Sequence, residues 1–313
     1  MLILKDFDRI GDRFKDIVIT IGNFDGLHLG HQKVLKAVKE HASVRGGTPA
    51  VLTFDPHPVK VLEPSKDLRI ITPFEEKARL IEALGIELLL CLTFNRELAG
   101  MRPVDFIRDI IIDRIGAVEV IVGHGYRFGK RREGTTELLR RMGDRYGFRT
   151  VVVRNKTLSG RAVSSSLIRK LIINGMVSEA SRLLGRPYMI QGKVIKGKGR
   201  GESLLQIPTA NIETTYELIP SEGVYAVRVA LGERLYGGVM NIGRNPTFGD
   251  VGLSLEVHIL DFYGDLLGSP ITVYFIKRLR GEKRFPDIDR LRESIKQDIN
   301  SARKILGRRF LID

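Results

Sequence analysis

The chain has 313 residues, 43% of them hydrophobic and 28% charged, with 51 Lys and Arg against 37 Asp and Glu for a formal net charge of +14. At ~100–200 residues per domain this length fits two domains, and the composition excludes wholesale disorder. No stretch approaches the roughly 18 uninterrupted apolar residues of a membrane span. The opening MLILKDFDRIGDRFKD carries early acids and no small-residue cleavage site, so no secretion signal is expected. A single cysteine, Cys91, excludes an internal disulfide and a Cys-based zinc site. These features together predict a cytoplasmic protein with no structural metal and no membrane partner.

The first half reads as alternating strands and helices. IVITIG (17–22) is a short β-branched run suited to a buried parallel strand. Val34, Leu35 and Val38 give the next segment helical spacing, and the helix should stop at Gly46-Gly47. AVLTF (50–54), ELLLCLTF (87–94), AVEVIVG (117–123) and RTVVVR (149–154) continue the strand set. Helices are predicted over 73–84, with acids in the first turn and Gly85 after the end, and over 103–115, closed by Gly116. This alternation predicts a doubly wound parallel α/β sheet, which binds ligands beyond the C-terminal ends of its strands.

After LLGRPY (183–188) short alternating strands take over: YMIQGKVI, GVYAVRVAL, RLYGGVMNI, LSLEVHIL and ITVYFIKRL. Their turns predict an antiparallel β-barrel. Ile288, Leu291, Ile295, Ile299, Ala302 and Leu306 form one apolar stripe on a C-terminal helix that docks on it. The domains are expected to be 1–185 and 186–313.

The positive charge permits nucleic acid, an anionic membrane or phosphate-rich small molecules as partners. Arg127–Arg149 holds eight bases and three acids, and Lys277–Arg309 holds twelve and five. Such runs usually form solvated faces. Between Gly192 and Gly201 four bases alternate with four glycines and no acid, a pattern suited to close backbone approach to an anion.

The sharpest motif is Gly22-Asn23-Phe24-Asp25-Gly26-Leu27-His28-Leu29-Gly30-His31, between a strand and a helix start. A helix N-terminus attracts phosphate through its unpaired N–H groups. Gly26 and Gly30 remove side chains where a polyphosphate would approach. His28 and His31 share one face of the opening turn and can stabilise transition-state charge. Asn23 and Asp25 flank Phe24 in a turn, where capping is the plainer reading.

Five more features fit phosphate, ring or proton-transfer chemistry. Phe54-Asp55-Pro56-His57-Pro58 follows the second strand, where the prolines either stiffen a loop or shape a site. Gly125-Tyr126-Arg127-Phe128-Gly129 suits stacking and phosphate pairing. Ser164, Ser165 and Ser166, with Arg169 one turn on, are either ordinary caps or holders of a triphosphate. In the barrel half, Gly197-Lys198-Gly199-Arg200 leads to Pro208-Thr209-Ala210-Asn211, and Thr209 and Asn211 would share a strand face. Such a neutral oxygen pair suits Mg²⁺ beside nucleotide phosphates, or a simple turn. Glu256 alternates to the opposite face from Leu255 and Val257, where it meets water or serves as a general base.

GNFDGLHLGH resembles the His-x-Gly-His signature of the nucleotidyltransferases, and SSSLIR resembles their second loop. TFDPHP, the Gly-Tyr-Arg-Phe-Gly segment and SSSLIR follow the order seen in bacterial bifunctional riboflavin kinase/FAD synthetases. GKVIKGKGRG…IPTANI, EGVYAV, MNIGRNPTFG and LEVHILDFYGDLLG resemble the riboflavin kinase module. The resemblance implies a nucleotidyltransferase-like sheet followed by a six-stranded barrel. It implies phosphorylation of riboflavin to FMN and adenylylation of FMN to FAD, with ATP and Mg²⁺ and with pyrophosphate released.

On that resemblance His28, His31 and Glu256 are catalytic. Gly22, Asn23, Phe24, Asp25, Gly26, Gly30, Ser164, Ser165, Ser166, Arg169, Gly197, Lys198, Gly199 and Arg200 bind ATP. Asp55, His57, Pro58, Tyr126, Arg127 and Phe128 bind flavin, and Thr209 and Asn211 bind Mg²⁺. The chain departs from the family pattern at Gly125, where an acid or amide is usual, at Leu167, usually Arg, and at Gln206-Ile207, usually Gly-Phe. Two rivals remain: a nucleotidyltransferase for another phosphorylated substrate with a barrel that only binds, and a nucleic-acid-binding module. Low aromatic content, 7%, weighs against the second. No nucleic-acid partner is expected, and the sequence sets no oligomeric state.

Overall fold

The computed structural model describes residues 1–154, 156–158, 160–196, 207–244 and 253–307. The chain divides into two compact units, Met1–Ser165 and Ser166–Asp313. No helix among the described residues is long and apolar enough to cross a membrane.

In the first unit, short apolar runs build β1 (Leu2–Lys5), β2 (Val18–Ile21), β3 (Pro49–Asp55), β4 (Leu88–Thr93), β5 (Glu119–Gly123) and β6 (Arg149–Val153). They form one parallel sheet in the order β1-β4-β3-β2-β5-β6, and β7 (Thr157–Leu158) and β8 (Arg161–Ala162) form a separate antiparallel pair. The chain steps outward from β2 to β3 and β4, then crosses to β5 and β6, so strand order reverses at β2. Registered pairs between β2 and β5 end at Ile19↔Val120. Beyond them the two strands lose their ladder at their C-terminal ends, where such a sheet forms its ligand crevice.

The helices that cover this sheet include α1 (Leu29–Arg45), α2 (Pro58–Leu62) and α3 (Phe74–Ala83). Val34, Leu35, Val38 and Ala42 bury one side of α1. Gly46 then ends it at a left-handed φ of 60°, its N–H reaching the carbonyls of Ala42 and Ser43. Short α4 (Arg96–Gly100) precedes the segment expected as one helix over 103–115. That segment is an α-turn, α5 (Pro103–Asp105), running into a π-helix at Phe106–Arg114. Phe106, Ile107, Ile110 and Ile111 of that segment are buried in the core. A further helix, α6 (Thr136–Tyr146), carries part of the first basic run. All eight bases of that run are exposed, as a solvated face requires.

The second unit opens with α7 (Ser165–Ile173), whose first residue closes the first unit, and α8 (Val177–Leu184). The packing division therefore falls before the domain limit expected at 185/186. The Ser178 hydroxyl donates to the Ile276 carbonyl over 2.8 Å and ties α8 to the barrel.

The barrel strands are β9 (Tyr188–Ile195), β10 (Ala210–Glu213), β11 (Gly223–Leu231), β12 (Arg234–Arg244), β13 (Leu253–Ile259) and β14 (Pro270–Arg280). They close in the order β10-β13-β12-β11-β14-β9. Alternation sends Tyr225, Val227, Met240, Ile242, Val257 and Phe275 inward, all fully buried. Tyr225 meets Phe275 edge to face at 5.4 Å. The opposite face of β11 turns Val224 and Ala226 toward Ala302 and Leu306 of α9 (Ile288–Leu306). The predicted apolar stripe thus docks on the barrel's outer wall. Asp287 caps α9 by accepting from the Arg290 N–H at 2.7 Å.

Candidate active sites

The chain leaves β2 at Ile21 and turns through Gly22–His28 before α1 begins. Phe24, Gly26 and Leu27 take left-handed φ values of 50°, 84° and 40°. For Phe24 and Leu27 that backbone is strained, and it is offset by burial of both side chains, 4% and 1% exposed. The Asp25 carboxylate is also buried and accepts from the N–H groups of Ile71 at 3.0 Å and Thr72 at 3.1 Å. Asp25 is therefore an anchor of the turn. The Ser165 hydroxyl donates to the Asp25 carbonyl at 2.8 Å, bringing the serine motif onto the histidine motif.

His28 is the N-cap of α1, its Nδ1 accepting from the His31 N–H at 3.3 Å. The His28 and His31 rings stack with centroids 3.6 Å apart and planes 18° apart. Phe24 meets His31 edge-on at 5.2 Å. A Cβ on Gly30 would stand 3.0 Å from the His28 ring, and one on Gly22 would stand 3.2 Å from the Phe24 ring. These two glycines clear space for protein rings, a role the sequence pattern did not suggest. Burial foremost, then His28 and Lys77, hold the His31 pKa well below 6.5, so the ring is neutral at pH 7. Among the described residues its buried Nδ1 has no hydrogen-bond partner, which marks a place where a ligand atom can supply one.

Asp55 ends β3, and Pro58 opens α2. His57 caps α2 by accepting from the Val59 N–H at 3.2 Å, while its Nε2 stands 3.3 Å from Asn23 Nδ2. Two predicted loops are thereby linked. Tyr126 stacks on Phe128 at 5.6 Å, and Arg127 is exposed. Phe128 itself is only 7% exposed and packs on Phe106 in the core, so it backs Tyr126 from below. Burial raises the Tyr126 hydroxyl above its usual pKa. Gly125 has a left-handed φ of 80° with open space where its Cβ would be, a conformation that Asn and Asp also tolerate. Ser164 directly precedes α7, while Ser166 and Arg169 lie on α7 within the second unit.

Sequence reasoning missed Lys77. It sits at 8% exposure on the same face of α3 as Phe74, Ala78 and Ile81. A lysine inside an apolar helical stripe was the available signal.

In the barrel, Asn211, Glu256, Asn241, Val224 and Arg280 stand opposite one another across five strands in turn. Facing residues share a side of the sheet, so this row lies on the outer face beside α9. Thr209, Asn241, Glu256, Arg280 and Asp298 line a cavity of about 590 Å³ there. The Ser254 hydroxyl donates to Glu256 Oε1 at 2.9 Å. Arg280 forks onto Asp298, with Nη2 2.8 Å and Nε 3.0 Å from Oδ2. This fixes α9 against the cavity. Ile207 lines the cavity, while Gly197, Lys198, Gly199, Arg200 and Gln206 lie outside the described residues.

Among the described residues no group of three or more His, Cys, Asp or Glu could hold a metal. Thr209 precedes β10 and lines the cavity, so the shared strand face expected for it and Asn211 does not form. Asn211, on β10, stands opposite Glu256 across the ladder, and Thr209 and Asn211 offer neutral oxygens. That donor set is too sparse for an all-protein cage and fits a hard cation that arrives on phosphates.

A family model for FAD synthetase matches residues 12–167, and one for riboflavin kinase matches 184–306. A bifunctional riboflavin kinase/FMN adenylyltransferase from Escherichia coli (strain K12) is 36% identical over 291 residues, 93% of each chain. One from Bacillus subtilis (strain 168) is 39% identical over 293 residues, 91% of each chain. A solved structure described as a macrolide-efflux protein from Streptococcus pneumoniae superposes with a TM-score of 0.88 at 29% identity, covering 97% of this chain and 99% of the other.

Proposed function

The chain belongs to the family of bifunctional riboflavin kinases/FMN adenylyltransferases, and from that premise we propose that it makes FAD from riboflavin in two ATP-dependent steps. The observation that carries this reading is that each half has its own family match and its own cluster of chemistry-bearing residues. Residues 1–185 are the adenylyltransferase domain and residues 186–313 the kinase domain, in the cytoplasm where ATP is held.

In the kinase domain, Glu256 takes the proton from the 5′-hydroxyl of riboflavin's ribityl chain. The oxygen attacks the γ-phosphorus of ATP and ADP leaves. The Ser254 hydroxyl holds one Glu256 oxygen, which orients the carboxylate. Thr209 and Asn211 would hold Mg²⁺, whose charge offsets that of the nucleotide phosphates. Gly197, Lys198, Gly199 and Arg200 belong to the ATP loop.

In the adenylyltransferase domain, an FMN phosphate oxygen attacks the α-phosphorus of ATP in line and pyrophosphate leaves. No covalent enzyme intermediate is needed, so the protein acts by positioning and charge stabilisation. His28 and His31 face the charge that builds up on the triphosphate. Gly22–Gly26, Gly30, Ser164 and Ser165 form the ATP bed, and by the family resemblance Ser166 and Arg169 also bind ATP. Asp55, His57, Pro58, Tyr126 and Arg127 contact flavin, and Phe128 supports Tyr126.

The test is incubation of the pure chain with riboflavin, ATP and Mg²⁺, with flavins separated by chromatography. FMN should appear first and FAD after it. Absence of either product overturns the corresponding half of the reading.

A further inference from the structure

Beneath the turn that carries the histidine motif lies a charge that no motif accounts for. Lys77 Nζ, on α3, is 3.4 Å from the Asn23 carbonyl and 3.3 Å from Thr53 Oγ1. The Thr53 hydroxyl is itself 3.5 Å from the same Asn23 carbonyl. The Lys77 ammonium also sits 5.4 Å from the centre of the Phe74 ring. Lys77 is 8% exposed and Thr53 is fully buried. A buried ammonium is costly unless its protons and charge are matched. Here two protons have acceptors. The facing charged and titratable groups are Asp25 after β2, Asp55 at the end of β3, Cys91 on β4, Glu75 on α3 and His31 on α1. Lys5, the last residue of β1, lies over the Phe74 ring at 4.8 Å.

We propose that Lys77 is a positioning residue of adenylyl transfer: buried under the Gly22–Gly26 turn, it holds the Asn23 carbonyl and supplies a fixed positive charge beneath the triphosphate bed. The inference rests on the adenylyl-transfer reading of this site. The backbone that Lys77 holds is also the backbone that presents Asn23 to His57, so one cation sets the relation between two loops. Its charge acts from among buried residues, Thr53, Phe24 and Asp25, where electrostatic attraction is stronger than at an exposed lysine. The same charge helps to keep His31 neutral.

Burial lowers the Lys77 pKa from 10.5, against the opposing pull of Cys91, Asp25, Asp55 and Glu75. The bed should therefore lose its cation at alkaline pH, which separates an electrostatic role from a merely structural one. Cys91 is pushed up to about 11 by burial and needs its own control.

The experiment follows FAD formation from FMN and ATP, and FMN formation from riboflavin, in the full chain from neutral pH upward. It compares wild type, Lys77→Met, Thr53→Val and Cys91→Ser. Lys77→Met should lower kcat/KM for FAD formation by about 10- to 100-fold and leave FMN formation within about twofold. Wild type and Cys91→Ser should lose FAD formation along an alkaline limb below pH 10.5, absent in Lys77→Met. Thr53→Val removes an acceptor of the ammonium and should move that limb to lower pH. A Lys77→Met enzyme with wild-type FAD formation, a limb that survives in it, or a Thr53→Val limb that does not move overturns the inference. If Lys77→Met does not fold, the wild-type and Thr53→Val profiles decide alone. A wild type that makes no FAD at any pH overturns the underlying reading together with it.

Discussion

The Ser165 hydroxyl donates to the Asp25 carbonyl across 2.8 Å, joining residues 140 positions apart in sequence. Asp25 is held from its other end as well, its carboxylate accepting from the N–H groups of Ile71 and Thr72. One residue of the turn is thus gripped by two distant segments. Ser165→Ala removes a donor from a carbonyl in a tightly packed turn, at a cost of about 1–3 kcal/mol if the carbonyl stays unpaired. The expected outcome is a fall of roughly tenfold in kcat/KM for ATP in FAD formation, with FMN formation unchanged. Steady-state kinetics of both half-reactions in one variant check it, and equal loss in both would assign Ser165 to folding alone.

The stacked imidazoles carry a second expectation. His28→Ala combined with His31→Ala removes both rings of the stacked pair. Loss of one charge-stabilising donor typically costs about 10²–10³ in rate, so FAD formation should fall below detection while FMN still accumulates from riboflavin. Chromatography of the two products after a single incubation reads this directly. Loss of both products together would contradict the assignment of the pair to one half-reaction.

How much of this was legible beforehand differs by element. The inner strands β2–β5 lie in continuous apolar, β-branched runs that burial on both faces requires, and the edge strand β6 keeps such a run in Val151–Val153, so composition located them. The edge strand β1 is only four residues, with Leu2 45% and Ile3 40% exposed, and lacks that signature. The histidine motif was visible because glycine and histidine spacing reports local backbone. What held the motif was not. Asp25 read as a possible cap and became an anchor to residues 46 and 47 positions away. Gly30 read as room for phosphate and makes room for His28. Lys77 was invisible because its role depends on tertiary neighbours on β3 and the turn after β2. In the barrel, alternation correctly put Glu256 opposite Leu255 and Val257, but only the ladder aligned it with Asn211 and Asn241.

Neutral His31 also makes stability depend on pH. Its folded pKa lies below the ordinary 6.5, chiefly through burial. Below 6.5 the unfolded chain therefore binds more protons at this site than the folded one. Stability is then full above 6.5 and is lost as pH falls toward the folded pKa, at no more than about 1.4 kcal/mol per pH unit. Denaturant titrations of wild type and His31→Asn from pH 8 down to 5 test this. The stability difference between the two should shift in favour of the variant on acidification, and a difference independent of pH would contradict it.

Glu256 sits in the outer-face row with Asn211 and Asn241 and lines the cavity beside α9. Glu256→Gln keeps the shape and the hydrogen bond from Ser254 while removing the proton acceptor. General-base contributions are typically about 10²–10⁴-fold, so FMN formation should drop by that order. FAD should still form when FMN is supplied, because the family models match the two activities to separate stretches of chain, 12–167 and 184–306. The check is a pair of assays on the same preparation, one fed riboflavin and one fed FMN. A variant that phosphorylates riboflavin at the wild-type rate would remove Glu256 from the role of base, and Asn241 or His258, which line the same cavity, would be the next side chains to substitute.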